Sequence, residues 1–266
     1  MESFRTRHLQ GLATAALLSS AERVSSDDSD ERWALVHELQ RRGGAETFRA
    51  ASGWCLAAEA HLRRLGADVL GQLGYPDSHP FADDSTPILV DLLRDREVEV
   101  VTDALIALGH LARGEVGLIA DLASHTDARV RYGVAVCLGS RANDAATRTL
   151  LTLSKDHDRD VRDWATFCLA DMIHADTPEI RAALTERLDD IDDEIRGEAM
   201  VGLANRGVTD VIPAIVNELR ATSSVLAVRA ASIIRDPLFV PELTQLLAIN
   251  PADRDVREAL DRCSTH

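Results

Sequence analysis

Apolar residues recur along this chain at helical spacing, in blocks separated by short polar breaks. One block aligns Val161, Ala165 and Leu169; others align Val130, Val134 and Leu138, or Ile195, Ala199 and Leu203. A spacing of four keeps each set on a single helix face, ready to be buried. No stretch alternates apolar and polar residues as a half-buried strand does. The pattern predicts an all-α protein.

The blocks are copies of one unit. With Val161 as the anchor, equivalent anchors fall at Leu62, Val100, Val130, Ile195, Val228 and, more weakly, Val256, with spacings of 38, 30, 31, 34, 33 and 28 residues. Nine residues after the anchor stands a small residue (Gly71, Gly109, Gly139, Ala170, Ala204), which suits close helix packing or the approach to a helix end. Three residues before it stands an acid: Glu59, Glu97, Asp127, Asp158, Asp192 or Asp253. One residue after it stands an arginine: Arg63, Arg131, Arg162, Arg196, Arg229 or Arg257. The acids are placed to cap each helix and favour its positive end. The arginines are placed to bridge to the acid or backbone of a neighbouring unit.

A second apolar helix precedes each of these, as in "STPILVDLLRD", "TRTLLTLSKD" and "VIPAIVNELRA", with Pro87 and Pro213 read near helix starts. The expected organisation is a leader helix at 1–30 and a solenoid at 31–262. Its first unit, 31–74, is enlarged, and a degenerate cap occupies 237–262.

The pattern Asp-x-x-Val-Arg-x-x-Ala-x-x-x-Leu-Gly, repeated after a Leu-rich helix, resembles the HEAT-repeat proteins, above all the HEAT-like type first associated with phycobilin lyase subunits. "DDSDERWALVHELQRRGG", "LGADVLGQLG" and "DVRDWATFCLADMIHADTPEIRAAL" are similar to a bacterial HEAT-repeat group, and the likeness spans roughly residues 27 to 262. The resemblance implies a right-handed α–α superhelix of about six to seven helical pairs, with first helices outside and second helices lining a concave face. Val101 and Val225 depart from the pattern, replacing an arginine and an acid.

On the second helices, the residues three, six and ten after the anchor lie roughly 100° to 160° from the buried stripe. That turns Trp164, Phe167 and Asp171 toward the concavity, with Asp103, Glu198, His110, Asn205 and Tyr132 around them and Gly133 leaving room. An aromatic floor with acidic walls suits a cation, through ring faces and charge pairing. The competing reading is packing, with Trp164 filling a gap between helices under a stacked arginine.

Composition narrows the partners. A formal charge of −15 and a pI near 5.0 oppose phosphate backbones and anionic lipid. Aromatics are only 4%, so the core is Ala, Leu, Val and Ile. Cys55, Cys137, Cys168 and Cys263 show no ligand spacing and are expected as reduced thiols in a cytoplasmic protein. No cofactor or metal is expected. No apolar run approaches a membrane span, and "MESFRTRHLQGLATAALLSSAER" reads as a leader helix rather than a signal peptide. The expected function is a binding scaffold for a protein, a peptide or a small cationic molecule. The alternatives are a lyase-like enzyme using Asp103, His110 or Glu198 as acid/base groups, and a HEAT-like DNA glycosylase. The glycosylase needs a basic channel, and Arg64, with Arg235 less well placed, is the inner cation expected here.

Overall fold

Each repeated block becomes a pair of antiparallel helices in the computed structural model, which describes residues 9, 11–24, 29–75, 78–141, 143–221 and 224–264. The helices are α1 (Thr14–Ala21), α2 (Ser29–Arg42), α3 (Ala45–Trp54), α4 (Ala60–Gln72), α5 (Ala82–Leu92), α6 (Val98–Leu111), α7 (Val116–Ala120), α8 (Ala128–Gly139), α9 (Asp144–Leu153), α10 (Arg159–Phe167), α11 (Pro178–Arg187), α12 (Asp193–Asn205), α13 (Ile212–Ala221), α14 (Val225–Ile234), α15 (Val240–Ile249) and α16 (Arg254–Ser264). There is no strand among the described residues. The chain packs as two compact units, residues 1–138 and 139–266, divided at the end of α8.

Within each unit the second helices stack on one another, α2 on α4 and α4 on α6 in the first, α10 through α12 and α14 to α16 in the second. The stripe residues Val130, Val134, Leu138, Val161, Ala165, Leu169, Ile195 and Ala199 are fully buried. Each buried leucine or valine contributes roughly 1.5–3 kcal/mol. The small residue nine after the anchor serves close approach: a Cβ on Gly71 would lie 2.6 Å from Ala107 Cα, and its φ is not positive. Gly133 likewise lets α8 close on α6, since a Cβ there would meet Leu105 at 3.1 Å.

Residues 31–74, expected as an enlarged first unit, hold three helices. Helix α2 repeats the register 31 residues before Leu62, which puts Arg32 one after the anchor and Leu35 and Leu39, both buried, four and eight after it. Helices α3 and α4 then form an ordinary pair. Of the leader expected over 1–30, residues 1–8, 10 and 25–28 lie outside the described residues. Helix α1 is docked: Leu17 and Ala21 are buried, Trp54 Nε1 donates to Glu22 Oε1 (2.9 Å), and Arg42 donates to the carbonyls of Leu9 and Leu12. Pro87 is not at a helix start. Helix α5 begins at Ala82, where Asp83 and Asp84 favour its positive end, so the proline sits inside and removes one backbone bond.

The capping acids divide by length. Asp158, Asp192 and Asp253 accept amide hydrogens of the first helical turn through Oδ1, whereas Glu59 and Glu97 make no side-chain cap. The extra methylene of glutamate carries the carboxylate past the amides.

The arginine one after the anchor binds twice. Its Nη1 takes carbonyls of its own preceding turn: Ala57 and Ala58 for Arg63, His125 and Thr126 for Arg131, Asp156 for Arg162, Asp190 and Ile191 for Arg196. Its other nitrogens reach an acid of the following unit. Arg63 forks onto Asp95 (2.6 and 2.9 Å), Arg162 onto Asp190 (2.8 and 3.1 Å), and Arg196 onto Glu218 (3.1 and 3.2 Å). Asp95 and Asp190 stand five before the next anchor, a ladder position not singled out in the sequence. Burial would raise both carboxyls, yet the arginine bonds hold them below the usual range.

Candidate functional site

The ladder explains where two arginines go instead. For Arg32 and Arg229 the residue five before the next anchor is Ala57 and Pro251, so neither finds a ladder acid. Both turn instead to carboxylates carried by other second helices. Arg32 pairs with Asp68 and lies 3.8 Å from Asp103. Arg229 forks onto Asp171, Nη1 to Oδ2 at 2.8 Å and Nη2 to Oδ1 at 3.0 Å.

In the second unit these residues surround an open hollow. Helix α10 ends in a π turn, Cys168–Met172, closed by the Ile173 amide on Cys168 O at 2.8 Å. Such turns interrupt a helix where a side chain must be re-aimed. Here the turn carries Asp171 and the exposed Met172 to the rim. The hollow, about 640 Å3, lies between Phe167, Asp171, Met172, His174, Asn205 and Arg229. Trp164 and Phe167, one helical turn apart on α10, are both half-buried with ring centroids 5.4 Å apart at 50°. On α12, Asn205 donates from Nδ2 to Asp171 Oδ1 at 3.2 Å.

Glu198 stands at Trp164's register on α12, half-buried, with Oε2 buried and without a hydrogen-bond partner among the described residues. Burial, then the charges of Asp171, Asp163 and Glu194, push its carboxyl up to about 7 against the pull of Arg229. Asp163 is raised to about 6, chiefly by burial, although Arg159 lies 3.5 Å away. A second hollow of about 500 Å3 shares Asn205 and Arg229 with the first and adds Val225, Ile233, Asp255 and Glu258.

The remaining sequence-predicted residues belong to the first unit. Asp103, with a side chain 14% exposed, receives Arg64 Nε at 2.7 Å as well as Arg32. Tyr132 is half-buried on α8, and His110 is exposed on the last turn of α6. The structure brings Phe167, Asp171 and Asn205 together at the hollow, with Trp164 against Phe167 and Glu198 within electrostatic reach of Asp171. It also seats a cation there that the sequence reading missed. Pro251 was a partial signal: it offers Arg229 no carboxylate at the ladder position, although Arg196, with Ser223 there, still finds Glu218. Arg206, also missed, fixes the rim by donating to the carbonyls of Leu169, Ala170 and Ile173.

The four cysteines are buried and unbridged, and burial pushes the Cys168 thiol up to about 12, away from nucleophilic use. Among the described residues, no three His, Cys, Asp or Glu side chains converge as a metal site, and no helix is long and apolar enough to cross a membrane.

Helix pairs stacked within each unit and tied by arginine–acid pairs define an all-α repeat solenoid. HEAT repeats are recognised over residues 86–170 and 115–204 of this all-α repeat solenoid. It is similar to protein YibA of Escherichia coli K12, 28% identical over 251 residues covering 90% of this chain and 88% of YibA. The X-ray structure of Escherichia coli YibA matches 100% of this chain and 98% of its own, with a TM-score of 0.77 at 24% identity. Kap121p shares the fold over 93% of this chain and 30% of its own, with a TM-score of 0.67 at 15% identity.

Proposed function

We propose that the protein is a binding scaffold whose second unit receives a cationic side chain of a protein or peptide partner in the hollow beside Trp164 and Phe167. The observation that carries this reading is Glu198, a half-buried carboxyl whose Oε2 lacks a hydrogen-bond partner among the described residues and which stands at the repeat register of Trp164. A guanidinium or ammonium group would supply the missing donor, with the Phe167 ring lining the same hollow. Repeat solenoids commonly act by presenting such surfaces, which supports the choice of a peptide over a metabolite.

Calorimetric titration with a short alternating Gly/Arg peptide tests it, with a Gly/Glu peptide of equal length as control. Trp164→Ala and Glu198→Gln should each weaken Gly/Arg binding about tenfold, a change of about 1.4 kcal/mol. Equal affinity in both variants would return Trp164 to a packing role. A carboxyl titrating near neutrality also favours a second reading, a small-molecule enzyme with Glu198 as general acid or base. That reading requires turnover abolished by Glu198→Gln.

A further inference from the structure

Arg229 differs from its ladder counterparts in what it holds. Arg63, Arg162 and Arg196 each bind carbonyls of their own turn and fork onto an acid of the next unit. Arg229 instead reaches Asp171, 58 residues away, past the intervening α12. Its side chain is 47% exposed, against 12% for Arg162. An ion pair that open to water is worth only about 0.2–1 kcal/mol, so another cation can replace it. Asp171 is nonetheless well prepared: its side chain is 17% exposed, steadied by Asn205, and presents both oxygens to a fork.

The adjoining hollow offers somewhere to go. Arg229 lines both hollows, and the second contains Asp255, an exposed carboxylate with no ion pair among the described residues. Glu258 nearby is already engaged by Arg262.

We propose that Arg229 is a built-in occupant of the first hollow, holding on Asp171 the seat that a partner's arginine takes, and that it moves to Asp255 when the partner binds. The inference rests on the groove reading above and gives it an internal competitor. Because one guanidinium replaces another, Asp171 keeps a forked partner in both states, and the displaced charge is met by Asp255. The partner is therefore an arginine-bearing extended segment. A lysine, lacking the fork, competes less well for this seat.

Calorimetry on the full chain with the same Gly/Arg peptide decides. Arg229→Gln should tighten binding about five- to tenfold by removing the competitor, and Asp255→Asn should weaken it about threefold by removing the alternative seat. Arg94→Gln, which removes the same charge from an exposed site elsewhere, should stay within about twofold of wild type. Because Asp255 is exposed and unpaired, its variant should fold. Wild-type binding with Arg229→Gln equal or weaker overturns the displacement while leaving the groove reading standing. Tightening by Arg94→Gln as large as that by Arg229→Gln also overturns it, since net charge alone would then suffice. Absence of binding in wild type and Arg229→Gln alike defeats both readings.

Discussion

Two charge clusters, one in each unit, share the register three residues after the anchor. In the first unit, Asp68 and Asp103 lie six and three residues after their anchors, buried or nearly so, with Arg32 and Arg64 on them. In the second, Glu198 and Asp171 lie three and ten after theirs, but only Asp171 has an arginine, and that arginine is half in water. The first cluster is complete: its carboxylates already have cations, and Trp33, beneath Arg32 at 5.6 Å, belongs to the same chain segment. The second keeps an unfilled acceptor and open volume beside Phe167. Acidic residues on the same kind of helix, as Asp103 and Glu198 at one register show, can therefore lock a fold or leave it receptive. What separates the two is whether the chain supplies every counter-charge itself.

That contrast can be broken most severely at the ladder. Arg162→Met strips a fork from Asp190, whose side chain is 5% exposed, and should cost about 3 kcal/mol in urea unfolding. A loss below about 1 kcal/mol would mean that the ladder is decoration.

The first cluster should show itself through pH. Burial, then the neighbouring Asp103, raises Asp68 from 3.8 to about 7 against Arg32 and Arg64. The folded state then binds a proton that the unfolded state releases, so this contribution to stability is lost as pH rises from about 4 to about 7. Asp68→Asn should flatten the slope, changing stability by about 2 kcal/mol between pH 5 and pH 8 relative to wild type. An unchanged slope would place the titration elsewhere.

In the second cluster the same measurement concerns binding. Glu198 must lose its proton to meet a cation, so Gly/Arg peptide affinity should rise about fivefold from pH 6 to pH 8. Glu198→Gln should remove most of that rise. Asp163, Asp171, Glu194 and Arg229 surround it electrostatically, and a rise persisting in the variant would assign the proton to Asp163.

The smallest effect expected is on stability at Arg229. Replacing it by Met should cost less than about 1 kcal/mol, because the pair with Asp171 is partly hydrated. A loss matching that of Arg162→Met would make Arg229 structural and end its role as a displaceable group.

Periodicity alone revealed the pairs, the buried stripe and the arginine row, because a residue's face on a helix follows from its number. It also placed Trp164, Phe167, Asp171, Glu198 and Asn205 toward one side of their helices. Three features escaped it. Glutamate and aspartate look alike as caps until the carboxylate must meet a particular amide. A proline at position 87 reads as a helix start until Asp83 and Asp84 are seen to begin the helix earlier. The destination of an arginine depends on a residue in the next unit, so Ala57 and Pro251 matter only once the stacking is known.

What this sequence determined by itself is the repeated unit, because helical spacing and small residues dictate which faces can be buried together. Only the tertiary structure decided which charges remain available. Pairing across stacked helices depends on ångström-scale reach and on water, and it left Asp103 satisfied, Asp171 lightly held and Glu198 open.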